Sequence, residues 1–285
     1  MSIKRLLHIS RPSLWIYVVG AFAVGVGDVH NFNLVAWVEL LLFIFPLNFL
    51  LYGINDVYDR PTDLLNPRKG QKQGAILQEN EVTSVIVLSL VFAAATLITA
   101  VFTWRIEHIL TMAAMIVAVF LYSHPIARFK EIPILDGVIG GAGYLLPVAI
   151  GYTLHGSLSD TPTWIWFFGI TMAGAHAVTT LVDTESDRAA GLRTTGVVLG
   201  DKPTLLWAII TFAIGLVALA KHIFLSSVLL ANLAILFITY ISIKRGDANR
   251  FWYYFVVSAI FAASWLMIIF YYFLLANRVN FGMVL

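Results

Sequence analysis

Long apolar runs recur along this 285-residue chain, and they decide what it can fold into. They fall at about 13–29, 34–54, 82–103, 107–123, 134–153, 162–182, 203–222, 224–242 and 252–276, each near the ~20 residues that carry a helix across a bilayer. Inside hydrocarbon every backbone N–H and C=O must find a partner within the protein, which leaves helices or closed barrels. Continuous apolar runs of this length read as helices. Sixty per cent of the residues are hydrophobic and 12% charged, with a mean hydropathy of +0.86, which excludes an ordinary soluble domain. The expectation is an all-α polytopic membrane protein, one domain over residues 1–285, with nine spans. The basic N-terminus lacks a small-residue cleavage site after its first apolar run, so that run reads as a retained span.

Charge orients the spans. With nine crossings, Arg105, Lys221 and Arg278 fall on one side, and the other fifteen of the 18 Lys and Arg fall on the opposite side. The positive-inside rule places that richer side, with the N-terminus, in the cytoplasm of a cell membrane. A formal net charge of +2 supplies no general basic field for nucleic acid, and the lack of cysteine removes disulfides, thiolate catalysis and Cys metal sites. The connections at 55–82, 124–133 and 183–202 are long and lie on the cytoplasmic face, where function is expected.

Two of those connections open on acids. The first reads Asn55-Asp56-Val57-Tyr58-Asp59-Arg60-Pro61-Thr62-Asp63, the second Asp183-Thr184-Glu185-Ser186-Asp187. Asn48, Tyr52, Asn55 and Asp59 follow one helical stripe, as do His176, Thr180, Asp183 and Asp187. Carboxylates at a membrane boundary are costly and mark function by default. Magnesium takes oxygen ligands, one or two carboxylates plus substrate phosphates, so two facing clusters would hold Mg²⁺ around a diphosphate. Asn55, Asp56, Asp59, Asp63, Asp183 and Asp187 are the candidate catalytic and metal-binding residues. Ionisation of an allylic diphosphate would leave a carbocation, which an apolar bundle shields from water. Arg68, Lys69, Lys72, Tyr122, Arg128 and Lys130 are the candidate diphosphate-binding residues, because guanidinium and ammonium groups screen phosphate oxygens.

Other polar positions have plainer readings. Each base taken singly also serves as a topology signal. The second cluster lacks the glycine and spacing of an EF-hand loop. His176 reads first as an interhelical hydrogen-bond partner, and Asp136 as a lesser candidate for the site. Glu39 and Lys221 lie near outer span ends and read as snorkelling. Gly137, Gly140, Gly141 and Gly143 allow either close helix approach or room for a ligand.

The acidic motifs resemble those of the UbiA superfamily of intramembrane prenyltransferases. Asn-Asp-x-x-Asp-x-x-x-Asp fits Asn55 to Asp63, and Asp-x-x-x-Asp fits Asp183 and Asp187, with Arg188-Ala189-Ala190-Gly191 behind it. Tyr122-Ser123-His124-Pro125 followed by Arg128 and Lys130 is similar to a further family segment, although Ile126 stands where some members carry lysine. The resemblance implies nine helices around a central cavity, dependence on Mg²⁺, and prenyl transfer from a diphosphate donor to a lipophilic acceptor within membrane lipid. A finer resemblance, carried by Ser10-Arg11-Pro12 with Trp15 and by Asn66-Pro67-Arg68-Lys69-Gly70, is to lycopene elongases. It implies a dimethylallyl donor and lycopene as acceptor in carotenoid elongation. Prenylation of an aromatic quinone precursor or a glycerol phosphate lipid is the alternative. A cation transporter is a distant third, since its acids belong at mid-bilayer.

Overall fold

The structure is a computed structural model that describes residues 1–27, 32–64, 69–70, 74–220, 223–246, 249, 252–263 and 266. Its helices are α1 (Ile3–Ser10), α2 (Trp15–Val26), α3 (Leu34–Ile44), α4 (Pro46–Asp63), α5 (Glu79–Val101), α6 (Ile106–Ser123), α7 (Leu135–Thr153), α8 (Thr163–Ala189), α9 (Thr195–Leu199), α10 (Asp201–Ala218), α11 (Ile223–Arg245) and α12 (Trp252–Ala263). No strand occurs among the described residues. Eight described stretches are long and apolar enough to cross a bilayer, and α12 is the described part of the ninth expected span.

The expected boundaries shift at the acidic motifs. The second span does not stop at residue 54: α4 runs through Asp63, so the whole Asn55–Asp63 motif is helical and not loop. Likewise α8 continues past Val182 to Ala189 and carries Asp183 and Asp187. Local physics explains the extension, because carboxylates on one helical face can be solvated or paired without unwinding the backbone. The second span instead breaks at Phe45, where Pro46 opens α4 and cannot donate a backbone hydrogen bond. Asn48 seals that break, its Nδ2 donating to Phe43 O at 2.7 Å and Ile44 O at 2.8 Å.

The chain divides into two compact units. The first comprises Met1–Phe129 with Leu146–Thr161, the second Lys130–Leu145 with the chain from Pro162 onward. In the first, α4 packs on α1, α5 and α6, with Phe22, Phe43, Leu47, Leu50 and Met112 fully buried. There α2 meets the second half of α7 backbone to backbone: a Cβ on Gly25 would lie 1.9 Å from Val148 O, and one on Gly151 2.1 Å from Phe22 O. Small residues permit such contact without any hydrophobic drive from lipid.

In the second unit α8 packs on α10, and α10 on α11. A Cβ on Gly174 would meet Thr211 Oγ1 at 1.9 Å and Ala208 Cα at 3.0 Å. Gly137 and Gly141 press on Ala173, and Gly140 on the His176 ring. Close helix approach therefore accounts for those three glycines, whereas Gly143 has open space beside it.

Candidate active site

Helix α4 delivers the first motif with its carboxylates turned inward: Asp56, Asp59 and Asp63 are all buried. Asn55 and Asp59 sit one turn apart, and Asn55 Nδ2 donates to Asp59 Oδ2 at 2.5 Å. Asp63 Oδ2 accepts from Lys69 Nζ at 3.0 Å, and the same ammonium lies 3.7 Å from Asp56 Oδ1. One cation thus stands between two carboxylates of the motif. Of the expected diphosphate-binding bases, Lys69 reaches the acids, while Arg68 and Lys72 lie outside the described residues.

Asp56 differs from its neighbours. It is wholly buried, Oδ1 accepting from Arg11 Nη2 at 2.5 Å and Oδ2 from the Ala75 backbone N–H at 3.1 Å. Arg11, quoted above only within a short resemblance, enters the site from the end of α1 and stacks 4.5 Å over the Tyr52 ring. No local pattern in the sequence could have identified it, since its partner is 45 residues away.

Residues 74–78 fold back along α4 without helical hydrogen bonds, and side chains satisfy several of their backbone groups. Arg60 Nε donates to Leu77 O at 2.9 Å, Arg5 Nη2 to Ile76 O at 2.8 Å, and Gln78 N to Glu81 Oε2 at 2.9 Å. Arg5 also grips both Glu81 oxygens at 2.8 and 2.6 Å. Ala75 and Leu77 are buried with Ile9, Phe49 and Val85.

In the second unit Asp183 and Asp187 stand one turn apart on α8, both half-buried, whereas Glu185 between them is exposed. Thr194 Oγ1 donates to Asp187 Oδ2 at 3.2 Å, and Leu192 N to Asp187 O at 2.9 Å, which turns the chain back toward α9. Asp136 is a brace within this unit. Its carboxylate accepts from Gly137 N and Thr195 N, each at 2.6 Å, and from Thr195 Oγ1. Ile134 N in turn donates to Thr195 Oγ1 at 2.7 Å. Tyr122 lies half-buried in the last turn of α6, Arg128 follows in the left-handed region with φ 46°, and Lys130 is buried in a short turn at the start of the second unit.

Glu39 corrects the reading from sequence. It does not snorkel; it is fully buried, its Oε1 2.8 Å from His108 Nε2. His108 Nδ1 lies 3.1 Å from both Ile150 O and Thr153 Oγ1. Lys221 lies outside the described residues.

The sequence profile of the UbiA prenyltransferase family matches residues 13–264. Among curated proteins, the lycopene elongase/hydratase of Haloarcula japonica is 33% identical over 215 residues, covering 72% of this chain and 70% of that protein. That of Haloferax volcanii is 30% identical over 268 residues, 88% of this chain and 84% of its own. The C(50) beta-cyclic carotenoids biosynthesis protein LbtBC of Dietzia sp. is 33% identical over 213 residues, 74% of this chain, and the match spans about half of that protein, 49%. In fold the chain is similar to a UbiA homolog from Archaeoglobus fulgidus bound to DMAPP and Mg²⁺, with a TM-score of 0.69, 24% identity, and coverage of 90% of this chain and 98% of that one.

Proposed function

Because the chain belongs to the UbiA prenyltransferase family, we propose that it moves a dimethylallyl group from its diphosphate to lycopene. The observation that carries the proposal is the inward acidic face of α4 with an ammonium seated between Asp56 and Asp63. The names of relatives at 30 and 33% identity support the choice of acceptor.

The donor atoms fit magnesium. Asn55, Asp59 and Asp63 offer only oxygens and an amide on one side of α4, and Asp183 and Asp187 offer only carboxylates on α8. The seated Lys69 ammonium shows that the α4 face accepts positive charge between its acids. We assign these five residues to Mg²⁺; bound there, the metal supplies charge neutralisation to a departing diphosphate. Lys69, with Tyr122, Arg128, Lys130, Arg68 and Lys72, is assigned to the diphosphate itself. An ammonium on one flexible stem can leave Asp63 for a phosphate oxygen and follow the leaving group. The allylic C–O bond breaks with its electron pair on the diphosphate, and the acceptor's terminal double bond forms the new C–C bond. The resulting cation either loses a proton or takes up water, which then releases a proton. Apolar helices keep water from the allylic fragment until the acceptor reacts. The acidic helix ends are assigned to the cytoplasmic face, following the distribution of Lys and Arg.

Pigment mass analysis tests the proposal, after expression in a lycopene-producing bacterial host. Products heavier than lycopene by one or two five-carbon units, with or without added water, are expected. Unchanged lycopene, with the protein present in the membrane, transfers the assignment to a quinone precursor or glycerol phosphate lipid as acceptor.

A further inference from the structure

The two acids flanking Lys69 are held in different ways. Asp63 has a single ammonium that can exchange for another cation. Asp56 has a guanidinium on one oxygen and a backbone N–H on the other, and no part of it is exposed. A metal on Asp56 would have to expel Arg11 and leave that cation nearly buried beside the Tyr52 ring, a costly exchange. Arg11 itself sits at φ 52°, in a region that a residue with a Cβ occupies only when its surroundings hold it there.

We infer that Asp56 is the anchor of a latch and not a metal ligand, and that Arg11, acting through it, is a positioning residue for the diphosphate site. The latch has a continuous course. Arg11 docks the end of α1 on Asp56, and Asp56 draws in the Ala75 N–H. The guanidinium packs against Gly74, where a Cβ would come within 2.6 Å of Arg11 Nη2 and where φ is 106°. The Gly74 carbonyl accepts from Gly70 N at 3.1 Å, which ties the residue after Lys69 to the latch. Arg5 and Arg60 fasten the carbonyls of Ile76 and Leu77, so with the Ala75 N–H on Asp56 the returning segment is tied at consecutive residues. The position of the Lys69 ammonium therefore depends on a contact made by a residue near the N-terminus. This inference rests on the proposed function only for its kinetic consequence; the latch itself is a statement about folding.

The test uses the full-length protein in detergent with Arg11→Gln, Asp56→Asn and Gly74→Ala, and Arg11→Lys as the conservative variant. Tryptic cleavage after Lys69 reads the latch without reference to activity. It is expected to accelerate several-fold in the first three variants, no further in the Arg11→Gln/Asp56→Asn double variant, and to return most of the way in Arg11→Lys. With dimethylallyl diphosphate as the probe, KM should rise about tenfold, kcat should stay within about twofold, and half-saturation by Mg²⁺ should stay within about twofold. Loss of a carboxylate that ligates metal would instead raise the Mg²⁺ requirement. Unchanged cleavage, additive effects in the double variant, or Mg²⁺ half-saturation raised about tenfold in Asp56→Asn would each overturn the inference. Unchanged KM alongside faster cleavage would overturn the positioning role. Faster cleavage in a protein that transfers no prenyl group would uphold the latch and count against the proposed function alone.

Discussion

Replacing His108 should destabilise the first unit more than replacing its partner Glu39. Thr153 Oγ1 donates to Ile150 O at 3.0 Å, so a carbonyl and a hydroxyl lone pair both face His108 Nδ1, and that nitrogen carries a hydrogen. One further proton then lies between Nε2 and Glu39 Oε1, whichever atom holds it. Among the described residues Glu39 Oε2 has no hydrogen-bond partner, and His108 is the only one of them bonded to the carboxyl. His108→Leu strips that partner from a fully buried acid, and such removals cost about 3–5 kcal/mol. Glu39→Gln keeps an amide opposite Nε2 and should cost about 1 kcal/mol. Glu39→Leu/His108→Leu removes both polar groups and should recover about 2 kcal/mol relative to the sum of the single leucine variants. Unfolding free energies in bicelles, measured around the full cycle, decide the matter. Additive single effects, or Glu39→Gln as harmful as His108→Leu, would refute the pairing argument.

Asp59→Asn and Asp183→Asn should each lower kcat by about 100-fold or more, with folding retained, measured as Mg²⁺-dependent diphosphate release. Gly174→Ala places a methyl within reach of Thr211 Oγ1 and Ala208 Cα and should cost about 1–3 kcal/mol. It should show as a melting temperature several degrees lower, whereas Gly143→Ala, with open space around it, should melt with the unmodified protein. The absence of cysteine makes topology directly readable. In intact cells an impermeant maleimide should label Ser159→Cys and not Ala189→Cys, both exposed positions; the reverse pattern would invert the orientation.

What could be read from the chain was what repeats locally. Apolar runs locate spans because a bilayer permits few alternatives, and the spacing of Asn55, Asp59 and Asp63 places them on one helical side whatever surrounds them. The family's acidic motifs add chemistry at fixed positions. The structure then supplied what depends on distant partners. Arg11 meets Asp56 across 45 residues, Glu39 meets His108 across 69, and Asp136 meets Thr195 across 59. Glu39 read as a snorkelling boundary charge and Asp136 as a lesser candidate for the site, because sequence periodicity carries no information about what packs opposite. The glycines of α7 were ambiguous for the same reason, and facing residues on α8 resolved three of them.

The Asn48 seal has a consequence for how such a chain can vary. In an unbroken helix, one inserted residue rotates everything beyond it by about 100° and would swing the acids away from their partners. Between α3 and α4 the helical phase restarts at Pro46, and the freed carbonyls are closed by a single amide. Lengthening or shortening α3 by a residue can be absorbed at that joint, leaving Asn55, Asp59 and Asp63 aimed as before. The α3 half of the crossing can thus change in length while the acids at its other end keep their register.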